Sequence, residues 1–247
     1  MKPKVDFFVI GPARCGTSSL YRAFGRHPSI YAPRVKEPRF FDKNWEKGWD
    51  WYGENYAEAT PDMITGDFSP SYATASSHTP ARRISQAYPH AKIIHLIRNP
   101  IDCAISNWRM AAELQGQAIP FMQSLHDWGA VVLNRALFYS QISKYRDFFP
   151  DNQIRVVPLV ERSKDRKLLA ELQEFLGVEH KPIKVPKVSQ SDNHTDRPGK
   201  PPVSEQDRRA FIDLVFEDAA AILRYADLAT DFWDLSPGYR GWGGTPV

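Results

Sequence analysis

Cysteine is scarce: Cys15 and Cys103 are the only two in 247 residues. That excludes a disulfide-stapled scaffold and points to a reducing compartment. Histidine is scattered, and no Cys/His cluster offers a ligand set, so no metal is expected. Long apolar runs are missing. The opening MKPKVDFFVIGP is too short in its apolar part for a signal peptide or a span, so a soluble, cytoplasmic protein with no membrane span is expected. Charge of one sign is missing too. Lys and Arg number 32 against 29 Asp and Glu, a net +3. This suits an anionic ligand but not nucleic acid. There is no internal repeat and no low-complexity tract. What remains is 42% hydrophobic and 25% charged, an ordinary globular composition, read as a single domain over 1–247.

The chain is organised around DFFVIGPARCGTSSL, residues 6–20. Phe7, Phe8, Val9 and Ile10 form a short continuous apolar run, the pattern of a strand buried on both faces. A turn follows through Gly11 to Gly16, and Thr17, Ser18 and Ser19 open a helix to about Phe24. A strand, a small-residue turn and a helix N-terminus make an anion site, because backbone N–H groups and the helix dipole favour negative charge there. Arg14 adds a full positive charge. Gly11 and Gly16 have the spacing of the nucleotide phosphate loop, but Thr17 stands where that loop carries Lys.

Downstream, Lys36-Glu37-Pro38-Arg39-Phe40-Phe41-Asp42 reads as a loop, since Pro38 turns Glu37 away from helical geometry. Residues 43–65 are rich in Trp and Tyr and are expected as short helices. Residues 66–72 read as a short strand ending in a turn, and residues 80–88 as a helix with Pro at its first position. Residues 91–97 read as a second buried strand, ending at Arg98-Asn99-Pro100 where another helix begins. Apolar residues at helical spacing over 128–149 predict one long helix that Pro150 ends. Residues 154–159 read as a third strand, 168–176 as a helix closed by Gly177, 178–202 as a long loop and 205–223 as a last helix. Alternating strands and helices predict an α/β fold with a parallel sheet flanked by helices on both faces. Ligands of such sheets bind at the carboxyl ends of the strands, where Arg14, Glu37 and Arg98 fall.

Together these residues resemble the sulfotransferases that use 3′-phosphoadenosine 5′-phosphosulfate (PAPS), in the branch with heparan sulfate N- and O-sulfotransferases and small bacterial members. The resemblance covers nearly the whole chain. Residues 11–18, GPARCGTS, look like the family's 5′-phosphosulfate loop. Residues 92–100, KIIHLIRNP, followed by Ser106, look like its 3′-phosphate motif. Residues 36–42 resemble the segment with the family's catalytic Glu. Residues 48–52 and 69–72 match further family signatures, and residues 197–200, RPGK, fall where a basic loop closes over the nucleotide. Each motif is weak alone, but five in order are specific.

The resemblance implies a P-loop-like fold, a PAPS donor bound without metal, and an acceptor that is a carbohydrate or small metabolite. It implies Glu37 as the base for the acceptor hydroxyl or amine, with Arg14, helped by Lys36, stabilising the leaving phosphate. Donor contacts are expected from Arg14, Cys15, Gly16, Thr17, Ser18, Ser19, Arg98, Ser106, Arg197, Gly199 and Lys200, and acceptor contacts from Arg39, Asp42 and Ser69. The family usually carries Lys at Arg14, and Arg is a poorer proton donor, so electrostatic stabilisation is expected. Arg39 replaces a His and Phe68 a Lys, at positions that face substrate in the animal relatives. Read from residues alone, Glu37 could instead be a salt-bridge partner of Lys36 or Arg39. A nucleoside-triphosphate kinase of related fold and a non-catalytic nucleotide-binding protein are the alternatives.

Overall fold

The computed structural model describes residues 1–158, 165–183, 203–236 and 238. Packing divides the chain into two compact units, residues 1–97 with 141–187, and residues 98–140 with 188–247.

The first unit is built on a five-stranded parallel sheet in the order β2-β3-β1-β4-β5. The strands are β1 (Phe7–Ile10), β2 (Ile30–Tyr31), β3 (Ile64–Asp67), β4 (Lys92–Ile97) and β5 (Ile154–Pro158). β1 is the central strand and all four of its residues are buried. Its register sets Phe7 opposite Gly66 on β3 and Lys92 on β4. Successive side chains point to opposite faces. Phe7 therefore meets Phe24 and Phe68 edge-on at 5.8 and 5.7 Å. Phe8 meets Phe41 and Tyr88 on the other face at 5.6 and 5.8 Å. Burying each such ring contributes about 1.5–3 kcal/mol. Gly66 is required at its position because the Phe7 ring occupies the space of a Cβ, at 2.2 Å.

The helices α1 (Thr17–Phe24), α2 (Gly48–Gly53), α3 (Ser71–Thr74), α4 (Thr79–Ala87) and α8 (Asp165–Leu176) belong to this unit, which holds most of α7 (Phe138–Arg146) as well. The connection leaving β1 runs to β2, on the β3 side of β1, and the one leaving β3 runs to β4 on the other side. Connections diverging from a central strand leave a crevice at the carboxyl ends, the place for a ligand in parallel sheets.

The second unit packs α5 (Pro100–Gln115), α6 (Phe121–Asp127) and α9 (Glu205–Tyr225) around Ile105, Trp108, Phe121, Phe211 and Val215. Asn99 caps α5 by accepting from the Ile101 N–H at 3.1 Å, and Ser204 caps α9 by accepting from the Asp207 N–H at 3.1 Å.

The long helix expected over 128–149 is not one helix. α6 ends at Asp127, residues 128–136 turn, and α7 starts afresh at Phe138. The Asp218 carboxylate accepts from the Tyr139 and Ser140 N–H groups at 2.9 and 2.8 Å, giving the new helix its start. Val132 and Ala136 are buried all the same. Their spacing reports burial, which a compact turn supplies as well as a helix does.

Candidate active site

The loop between β1 and α1 has backbone conformations that few residues tolerate. Gly11 has φ 118°, Arg14 φ 74° and Gly16 φ 91°. A Cβ on Gly11 would lie 2.5 Å from the Leu96 carbonyl oxygen and 2.8 Å from the Leu96 nitrogen, so the loop runs hard against β4. Left-handed residues set among right-handed ones turn successive N–H groups toward a common point, the backbone arrangement that cradles anions. The start of α1 supports this. Gly16 is its N-cap and has no side chain to accept from the first N–H groups, so Thr17, Ser18 and Ser19 stand within the helix and not at the cap that their position suggests. Thr17 is buried, Ser18 is exposed and Ser19 half-buried. Arg14 is exposed while the Cys15 side chain is fully buried.

Glu37 stands on the loop after β2. Its Oε1 is 2.5 Å from Lys36 Nζ, and its side chain is 40% exposed. The residues after it are fastened. The Arg39 N–H donates to Ser69 Oγ at 3.0 Å and Arg39 Nε to Ser71 Oγ at 3.2 Å. The Phe41 N–H donates to Tyr72 Oη at 3.3 Å, and Arg83 donates to the Phe41 carbonyl at 3.1 Å. Phe40 and Phe41 are buried; Phe40 stacks on Tyr52 at 4.4 Å. Upstream, the Arg34 N–H donates to the Asn55 carbonyl at 3.1 Å, so Glu37 is an accessible carboxylate on a segment anchored on both sides. Asp42 is half-buried, and its carboxylate accepts from the Lys43 N–H at 2.8 Å.

The anchor converges on a residue that sequence reasoning missed. Asp67, the last residue of β3, is fully buried and accepts from Ser69 Oγ at 2.6 Å, Tyr52 Oη at 2.8 Å and Tyr72 Oη at 3.0 Å. Burial pushes its carboxyl up to about 6, with the three hydroxyls opposing that and Asp42 adding to it. Burial and the Asp67 charge push the Tyr52 and Tyr72 hydroxyls well above their usual range. The available signal was an acid at the end of a strand with hydroxyls two and five residues on, a pattern too common to single out alone. Ser69 lies in this interior network with no exposed surface. Phe68 is fully buried against Phe7, Tyr21 and Phe24, so it does not stand as a substrate-facing residue here.

In the second unit Arg98 directly follows the last residue of β4 in the chain. It is 5% exposed, and its Nη2 is 3.8 Å from Asp102 Oδ2, a carboxylate equally buried in the first turn of α5. Ser106, half-buried, follows Asp102 by one helical turn and shares its face of α5. Arg197, Gly199 and Lys200 lie outside the described residues. Among the described residues no group of His, Cys, Asp or Glu could hold a metal, and no helix is long and apolar enough to cross a membrane.

Residues 4–195 match the family model described as "Sulfotransferase domain". Among curated proteins, the mouse bifunctional heparan sulfate N-deacetylase/N-sulfotransferase 1 is 28% identical over 69% of this chain and 22% of its own length. Human heparan sulfate glucosamine 3-O-sulfotransferase 3B1 is 28% identical over 69% of this chain and 45% of its own. The chain thus spans less than half the length of these relatives. Among solved structures, a sulfotransferase from Alicyclobacillus acidocaldarius superposes with a TM-score of 0.75 at 25% identity, covering 92% of this chain and 97% of that one. The sulfotransferase domain of the Synechococcus olefin synthase shares the fold, with a TM-score of 0.52 at 18% identity over 73% of this chain and 75% of that one. With a family model matched across most of its length, on a parallel sheet flanked by helices, the chain belongs to the sulfotransferase domain family.

Proposed function

We propose that this protein transfers the sulfuryl group of PAPS to a hydroxyl or amine of a carbohydrate or small-metabolite acceptor. The observation that carries this reading is the β1–α1 loop, with Gly11, Arg14 and Gly16 in left-handed conformations ahead of a helix start that no side chain caps. A Cβ at Gly11 would meet the Leu96 backbone, so glycine alone lets the loop lie this close to β4, and a phosphate group suits the N–H groups at the start of α1. PAPS supplies the activated sulfuryl group and a stable leaving phosphate.

The N–H groups of residues 16–18 hold the 5′-phosphosulfate, with Ser18 and Ser19 adding hydroxyls. Arg98 and Ser106 hold the 3′-phosphate; the buried Asp102 keeps the Arg98 guanidinium in place. Arg197, Gly199 and Lys200 complete the donor site. Glu37 takes the proton of the acceptor as the acceptor oxygen or nitrogen forms its bond to sulfur. The bond from sulfur to the bridging oxygen breaks, and its electron pair stays on the 5′-phosphate. Arg14 stabilises that charge, as fixed cations do in phosphoryl transfer. Lys36, paired with Glu37, orients that carboxylate and helps Arg14 with the charge on the bridging oxygen. Arg39 and Asp42 contact the acceptor, and the interior Ser69 acts on it through Arg39. The relatives named for heparan sulfate favour a sugar, but Phe68 in the core, where the animal enzymes have Lys, favours a different one.

The test is incubation with sulfur-labelled PAPS and a panel comprising N-desulfated heparan sulfate, an amino sugar and 4-nitrophenol. Label in an acceptor with release of adenosine 3′,5′-bisphosphate is expected. Glu37→Gln should lower turnover by about 10²–10⁴ while keeping affinity for the bisphosphate. ATP hydrolysis without bisphosphate affinity would move the chain to the kinase reading.

A further inference from the structure

Glu37 is exposed and stands between two anchored amides of its loop, Arg34, which donates to the Asn55 carbonyl at 3.1 Å, and Arg39, which lies nearer, so the anchor at Arg39 bears most on where its carboxylate stands. Its partner Lys36 cannot fix that place alone, being an adjacent residue on the same loop. The fixing groups lie beneath. Ser69 Oγ accepts from the Arg39 N–H at 3.0 Å and donates to Asp67 at 2.6 Å. Tyr72 Oη accepts from the Phe41 N–H at 3.3 Å and donates to Asp67 at 3.0 Å. Tyr52 Oη donates to the same carboxylate at 2.8 Å and receives a bond from Tyr56 Oη at 3.0 Å. Two backbone amides of the Glu37 loop therefore end, through one hydroxyl each, on one fully buried carboxylate at the tip of β3.

We propose that Asp67 is the positioning residue of the catalytic segment: through Ser69 and Tyr72 it holds residues 39–41 to the sheet, and so sets the place from which Glu37 meets the acceptor. This rests on the reading of Glu37 as base. A charged acceptor strengthens each hydroxyl bond and polarises the next one outward, so a carboxylate serves where a neutral side chain would hold less firmly. Tyr52, Tyr56, Tyr72, Tyr88, Tyr145 and Asp42 are the titratable groups that face it. The hydroxyls of Ser69, Tyr52 and Tyr72 donate directly to its charge. Burial pushes the carboxyl up to about 6, which leaves it ionised at neutral pH. The hub lies below the loop, not at the reacting atoms, and so acts only through the segment that it holds.

The experiment compares Ser69→Ala, Tyr72→Phe and Asp67→Asn with the wild type, each in the full chain. Hydrogen exchange, which needs no acceptor, reads the Arg39 amide in Ser69→Ala and the Phe41 amide in Tyr72→Phe. Each should exchange about tenfold faster, the equivalent of one lost hydrogen bond, while amides of β1 and β4 keep their protection. On the panel acceptor that the wild type uses best, kcat per bisphosphate-binding site should fall about 10–100-fold, the scale of a misplaced group. Bisphosphate affinity and the KM for PAPS should stay within about twofold. Counting only molecules that bind the bisphosphate removes any unfolded fraction, so a purely structural role would leave kcat unchanged. Unchanged kcat in Asp67→Asn and Ser69→Ala, or unchanged exchange at Arg39 and Phe41, overturns the proposal. If the wild type sulfates nothing on the panel, the functional reading falls, and the exchange result alone decides whether the hub holds the segment.

Discussion

Arg14 sits at φ 74°, where a side chain with a Cβ costs energy that glycine does not incur. Such strain is kept where a side chain is needed at that point of the chain. The comparison that isolates it is Arg14→Ala against Arg14→Gly. Both lose the guanidinium, so both should lose most sulfuryl transfer. Only alanine keeps the strain, so the glycine variant should be the more stable by about 1 kcal/mol in urea unfolding. Equal stability would show that the left-handed conformation carries no cost here. The sequence marks Arg14 and Glu37 plainly, because a lone cation inside a Gly-bounded turn and an acid before Pro are local patterns. It does not mark Asp67, whose meaning depends on Tyr52, fifteen residues earlier, folding back onto the same carboxylate. Nor does it show that Phe68 is core, since an apolar residue beside Asp67 fits either face until Phe7 and Phe24 are placed around it.

The turn that links β1 to α1 exists because β4 passes directly beneath it. Its Gly11 has no room for a Cβ against Leu96 backbone atoms, which cannot swing aside as a flexible side chain could. Gly11→Ala should therefore cost about 3 kcal/mol, the upper end of overpacking, and lower bisphosphate affinity as the loop is pushed off its strand. Urea unfolding and calorimetric titration measure the two losses; wild-type affinity in a stable Gly11→Ala protein would mean that the loop geometry does not matter for binding. Elements held by local pattern were legible: β1 and β4 as continuous apolar runs, α4 from its early proline, and α9 from its amphipathic spacing. The break between α6 and α7 was not, because the group that starts α7 is Asp218, nearly eighty residues away on α9. Long-range caps leave no trace in a window of neighbours.

At the scale of the whole molecule, two buried groups of the sheet unit titrate against each other. Burial raises the Asp67 carboxyl from 3.8 to about 6, so the folded state keeps a proton there that the unfolded chain has released. The stability that this group contributes is full below 3.8 and is lost as pH rises through about 6. Burial lowers His95 from 6.5 to about 4, with Lys144 adding to the shift and the bond to Gln141 opposing it. Its contribution is full above 6.5 and is lost as pH falls through about 4. Between about pH 4 and 6 each group gives a slope of about 1.4 kcal/mol per pH unit, and the signs are opposite. The wild type should therefore show nearly flat stability across that window. Asp67→Asn leaves the histidine alone, so its stability should rise steeply with pH there. His95→Gln leaves the aspartate alone, so its stability should fall as pH rises. Urea unfolding at half-unit steps, followed by the fluorescence of Trp45, Trp49 and Trp51 beside the sheet, reads both slopes. Parallel lines for the two variants would mean that these groups do not titrate inside the fold. Opposed slopes would show that burial raises the carboxyl beneath the Glu37 segment toward 6, which leaves it ionised at neutral pH.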